Sequence, residues 1–112
     1  MLPIIDANQR IEFSISTDQD PKTIFILKPL SGIQQFGLSR NLIRNENGTY
    51  TTTEDYASKL LNLAIVEIKN PDINDAYELE KYISNLNVSA VSELISKISE
   101  MTFVTEEERK NL

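Results

Sequence analysis

Two of the residue types missing from this chain together carry much of the acid–base and metal chemistry that proteins use. There is no cysteine and no histidine among its 112 residues. Without cysteine there can be no disulfide, no thiolate nucleophile and no thiolate zinc site. Without histidine the commonest general base and a leading transition-metal ligand are gone. Any catalysis would fall on carboxylates, lysine or tyrosine, so the expectation is a protein that is not an enzyme and has no catalytic, cofactor-binding or metal-binding residues. Long apolar runs are missing too. None approaches the roughly 18–20 residues that cross a bilayer, so no membrane partner is expected. The start, Met1-Leu2-Pro3-Ile4-Ile5-Asp6, lacks the basic region and apolar stretch of a signal peptide, which makes the cytoplasm the expected location.

Positive charge is in short supply. Eleven Lys and Arg face 17 Asp and Glu, a formal net charge of -6, and the imbalance is local. Residues 1–53 are balanced, with Arg10, Lys22, Lys28, Arg40 and Arg44 against Asp6, Glu12, Asp18, Asp20 and Glu46. All of the excess lies beyond them. So acidic a half repels phosphate backbones, and nucleic acid is not an expected partner.

What remains has the composition of one ordinary globular domain, 1–112, with 40% hydrophobic and 25% charged residues. "RIEFSIS" alternates Ile11, Phe13 and Ile15 with polar residues, the period of a strand with one buried face. "TDQDP" supplies turn residues, and "KTIFILK" is a β-branched and aromatic run ended by Pro29. An antiparallel β-hairpin over 1–30 is the reading. Ser31 can cap a short helix through Gln35 and Phe36, although Gly32 and Gly37 weaken it. Asn47-Gly48 marks a turn, around which Leu42–Arg44 and Thr49–Thr52 can pair.

From Thr51 to 112 the pattern reads as helical. Thr51-Thr52-Thr53-Glu54 matches a capping box, and Tyr56, Leu60, Leu63 and Ala64 follow at helical spacing. Leu61, Ile65 and Ile68 widen that stripe, and Asn70-Pro71 ends the helix. Leu60, Leu63 and Ala64 are expected to pack on the hairpin through Phe13, Phe25 and Leu27. Asp75 opens a second helix with Leu79, Tyr82, Ile83 and Leu86 on one face. A third begins near Ser89, with Val91, Leu94, Ile95, Ile98 and Met101 on its apolar side. Phe103 and Val104 interrupt it, and Thr105-Glu106-Glu107-Glu108 caps a closing helix over 105–112. The fold class is therefore α+β: an N-terminal antiparallel β-hairpin followed by a cluster of short α-helices.

Two stretches come near to ligand motifs and fall short. "GIQQFGLS" follows a strand like a phosphate-binding loop, but Leu38 stands where the lysine must reach the phosphates. "DINDAYELE" places Ala76, Tyr77 and Ile83 where a calcium loop needs an oxygen ligand, glycine and glutamate, so a solvated helix start explains it better. The apolar stripes point elsewhere. Helices this short in so small a domain leave some face for a partner, in the manner of helix-in-groove recognition, unless every stripe is core.

Three segments, in order, carry a resemblance. "TIFILKPLSGIQQ" resembles a strand and Leu-Lys-Pro-Leu segment near the start of phage tail assembly chaperones. "AIVEIKNPD" is similar to a helix of theirs that ends in a Lys-Asn turn, with Glu67-Ile68 where Gly-Trp is common. "VSELISKISEMTFVTEEERKNL" resembles their helix, apolar break and Thr-Glu-Glu-Glu ending. The resemblance spans residues 23–112. It implies a non-enzymatic protein of the host bacterial cytoplasm, made from a phage or prophage and absent from the mature virion. Its partners would be tape measure protein, kept from aggregating during tail tube polymerisation, and tail tube protein. Family members are often also made in a longer, frameshifted form. Taken with the apolar face of the third helix, the resemblance marks Ile95, Ile98, Met101, Phe103, Val104, Glu106, Glu107 and Arg109 as partner-binding residues, the closing helix acting as an arm. The alternative is a structural phage component, a head–tail connector or tail-completion protein, and a third reading is a bacterial interaction module unrelated to phage.

Overall fold

The computed structural model describes residues 5–102. Ile11–Phe13 forms β1 and Ile24–Leu27 forms β2, paired antiparallel with Phe13 opposite Phe25 and Ile11 opposite Leu27. The expected hairpin is therefore present. Its turn is tied by Asp18, whose carboxylate accepts from the Thr23 amide at 2.7 Å. Along β2, Phe25 and Leu27 point into the core while Ile24 and Ile26 are half-buried, the alternation that a pleated strand imposes.

The hairpin does not stand alone. Ile65–Lys69 is a third strand, β5, antiparallel to β2, and the sheet order is β1-β2-β5. This corrects the reading of 51–70 as one helix. The helix α2 runs only from Glu54 to Ala64, and Ile65 leaves it directly in extended conformation. Two causes combine. Ile65, Val66 and Ile68 are β-branched and suit a pleated surface, and β2 has a second edge whose amides and carbonyls need partners. The pairing Phe25–Ile68, and the Lys28 amide donating to the Ala64 carbonyl at 2.9 Å, satisfy that edge. Asn70 then turns the chain at φ 58, a left-handed value that asparagine tolerates.

Between β2 and α2 lie a helix and a small hairpin, both as the sequence indicates. Helix α1, Gly32–Leu38, starts in a full capping box: Ser31 Oγ accepts from the Gln34 amide, and Gln34 Oε1 accepts from the Ser31 amide. After a 3-10 turn at Ser39–Asn41, β3 (Leu42–Arg44) pairs with β4 (Tyr50–Thr52) around Gly48 at φ 86. Here too the structure amends the sequence reading. Thr51 is a strand residue opposite Ile43, and the cap of α2 is Thr53, whose Oγ1 accepts from the Tyr56 amide at 3.1 Å.

Helix α3 (Ala76–Ser84) is capped by Asp75, and α4 (Val88–Thr102) opens with Asn87 Oδ1 accepting from the Ala90 amide. The core joins the sheet to these helices through Phe25, Leu27, Ile68, Leu61, Ile83, Leu94 and Ile98. Phe25 and Tyr82 meet with ring centroids 6.4 Å apart in a tilted pair. One expected core residue is misplaced: Leu63 is 36% exposed, while Leu61 is 2% exposed. The buried stripe of α2 is Leu60, Leu61 and Ala64, and Leu63 falls on its flank.

Candidate functional site

Helix α1 contributes only Leu38 to the core. Its two largest other side chains, Ile33 and Phe36, are 86% and 73% exposed. They sit three residues apart and so lie side by side on the helix surface. Solvent-facing isoleucine and phenylalanine are not unusual singly, and of the two only Ile33 lies next to the side of α1 that lines a depression.

That depression is a groove of about 1020 Å³ between α1, α2, β5 and α3. Leu38, Leu63, Ile65, Val66 and Leu79 supply its apolar lining, with Gly37 and Ala76 leaving room beside them. Lys28, Lys59 and Glu80 are its charged lining residues. Ile33 is four residues before Gly37 and adjacent to Gln34, two of the lining residues of α1, so it forms the lip of the groove on that side. Lys59 Nζ donates to Asn41 Oδ1 at 3.3 Å, which holds its charge near the α1–β3 connection. Among the described residues neither lysine has a carboxylate within ion-pair distance; the one ion pair there, Lys97–Glu100 at 3.8 Å, is on the exposed side of α4 and contributes little.

The near-motifs resolve into ordinary structure. Gly32 to Leu38 is helix α1 with Leu38 buried, so "GIQQFGLS" has no phosphate-cradling loop. Asp75 spends its carboxylate on the Glu78 amide at 3.1 Å, and Asp72 Oδ1 lies 3.5 Å from the Asn70 amide. No group of three or more Asp or Glu among the described residues converges to hold a metal ion. No helix among them is long and apolar enough to cross a membrane.

The residues expected to bind a partner are differently placed. Ile98 is 1% exposed and belongs to the core, so it presents nothing to a partner in this fold. Ile95 and Met101 are half-buried and packed against the core. Phe103, Val104, Glu106, Glu107 and Arg109 lie outside the described residues, as does the closing helix expected over 105–112. What the end of α4 contributes is structural: Thr102 is buried, and its Oγ1 accepts from the Leu30 amide at 3.3 Å.

Sequence reasoning missed the groove. From α1 it takes Gln34, Gly37 and Leu38, a mixed set that carries no periodic signal within "GIQQFGL". Comparison of the chain with protein-family models, curated proteins and solved structures gives no match.

Proposed function

We propose that this protein is a phage tail assembly chaperone that binds apolar helical segments of tape measure protein and keeps them from aggregating while the tail tube polymerises. One observation supports this reading above the others: an open groove lined by Leu38, Leu63, Ile65, Val66 and Leu79 lies between the helices, with exposed Ile33 beside it. A groove between helices, with an apolar floor and a few charges in its lining, suits an amphipathic helix laid into it. Two residues that line it, Lys28 and Gln34, lie within the first of the three stretches that resemble the chaperone family. In this reading the protein acts in the host bacterial cytoplasm, takes tail tube protein as a second partner, and is left out of the finished particle.

The test is co-expression with the long tape measure reading frame expected beside its gene. The native chain should hold tape measure protein in the soluble fraction and co-purify with it. Ile33→Asp, beside the groove, should weaken co-purification while leaving the melting temperature of the domain within a few degrees, since its side chain is exposed. Recovery of the protein in stoichiometric amounts from purified virions would overturn the chaperone reading in favour of a structural component.

A further inference from the structure

The groove carries charge of the opposite sign to the chain around it. The sequence has a formal net charge of -6, yet the charged residues that line the groove are Lys28, Lys59 and Glu80, two bases against one acid. We propose that the groove selects an acidic amphipathic helix: a segment of tape measure protein whose apolar stripe is flanked by Asp or Glu, with those carboxylates meeting Lys28 and Lys59. This rests on the reading of the groove as the tape measure site.

The backbone brings the two lysines to one place. The Lys28 amide donates to the Ala64 carbonyl at 2.9 Å, which seats Lys28 beside the junction of α2 and β5. Leu63 and Ile65, on either side of Ala64 in the chain, both line the groove. Lys59 is four residues before Leu63 on α2, and residues so spaced are neighbours on a helix surface. Both lysines therefore lie near Leu63. A lysine in such a place lays its methylene stem on apolar surface and keeps its ammonium at the water boundary.

Two of the neutral polar groups in the lining are committed to their own helices. Gln34 Oε1 accepts from the Ser31 amide at 3.0 Å, and Asn62 Nδ2 donates to the Ser58 carbonyl at 2.8 Å. The lysines have more to offer. Lys59 Nζ gives a hydrogen bond to Asn41 Oδ1, and an ammonium has three donors. Among the described residues no carboxylate lies within ion-pair distance of either lysine. A carboxylate on the flank of an incoming helix makes charge-assisted hydrogen bonds there, whereas a Lys or Arg sets like charges together. The net charge of the chain acts the other way, favouring a basic partner at a distance. Physiological salt screens that field beyond about 8 Å, so the contacts inside the groove decide.

Three synthetic peptides of roughly 18 residues test the proposal against the full-length chain, each a helix with leucine at i, i+3, i+4 and i+7. They differ only beside that stripe, where they carry Glu, Gln or Lys. In calorimetric titrations at physiological ionic strength, the Glu peptide should bind about tenfold more tightly than the Lys peptide, with Gln between them. The gap should narrow as salt is raised. Lys28→Gln with Lys59→Gln should erase the preference, and Glu80→Lys should widen it. The peptide series on the unsubstituted chain stands even if a variant fails to fold. Leu63→Ala should weaken all three peptides, as binding in the groove requires. Equal affinities, a Lys peptide bound tightest, no peptide bound, or binding indifferent to Leu63→Ala overturns this inference. The reading on which it rests fails separately, when tape measure protein itself does not co-purify.

Discussion

Leu61 and Leu63 stand two residues apart on one helix and serve different surfaces. Leu61 is closed in the core, whereas Leu63 faces the groove between α1, α2 and α3. Replacing Leu61 by Ala should cost about 2–5 kcal/mol in a denaturant or thermal melt, as buried leucine truncations do. Replacing Leu63 by Ala should cost less than about 1 kcal/mol and should weaken capture of a helical partner instead. Equal losses of stability at the two positions would contradict the placement of the groove. Gly37 offers a complementary test. A Cβ built there meets nothing within 4 Å, so Gly37→Ala has room in the free domain. It should raise stability by about 0.5–1 kcal/mol through helix propensity. Because Gly37 lines the groove, the added methyl should also lower affinity for a helix lying against it. Stability rising while binding falls is the expected signature.

At the level of elements, the parts set by local chemistry were legible in the sequence. Ser31 caps α1, Asn47-Gly48 makes the β3–β4 turn, and Asp75 starts α3, each through side-chain and backbone groups a few residues apart. β5 was not legible. Ile65, Val66 and Ile68 continue the helical stripe of Leu60, Leu61 and Ala64 as well as they form a strand. The choice is made by the open edge of β2, some forty residues earlier in the chain. The start of α2 failed for a related reason, since three successive threonines all suit an N-cap, and pairing of Thr51 with Ile43 removes it from contention. Thr53→Ala should therefore cost about 0.5–2 kcal/mol, seen as a lower urea midpoint, because it loses the cap and a hydrogen bond to the Asn41 carbonyl. A larger loss on Thr51→Ala would restore the capping box read from sequence. In hydrogen exchange, the paired amides of β2 and β5 should be among the slowest, being joined to Phe25, Leu27 and Ile68 in the core.

For the molecule as a whole, the α+β class follows from the three-stranded sheet and the four helices that the described residues form around one core, with β5 placing a strand inside the half that reads as helical. The candidate site was less legible than the fold. Which face of α1 stays exposed depends on how α2 and β5 pack beside it, and no periodicity within "GIQQFGL" contains that information. The end of α4 misled for the same reason in reverse: Ile98 carries the spacing of a binding face and is core. The central claim is that the groove lined by Leu38, Leu63, Ile65, Val66 and Leu79 receives a helix of tape measure protein. Hydrogen exchange of the free chain against its co-purified complex tests it most directly. The account predicts new protection concentrated in α1, residues 32–38, and along 59–66, with α4 unchanged. Protection confined to α4, or none within the groove-forming segments, would contradict it.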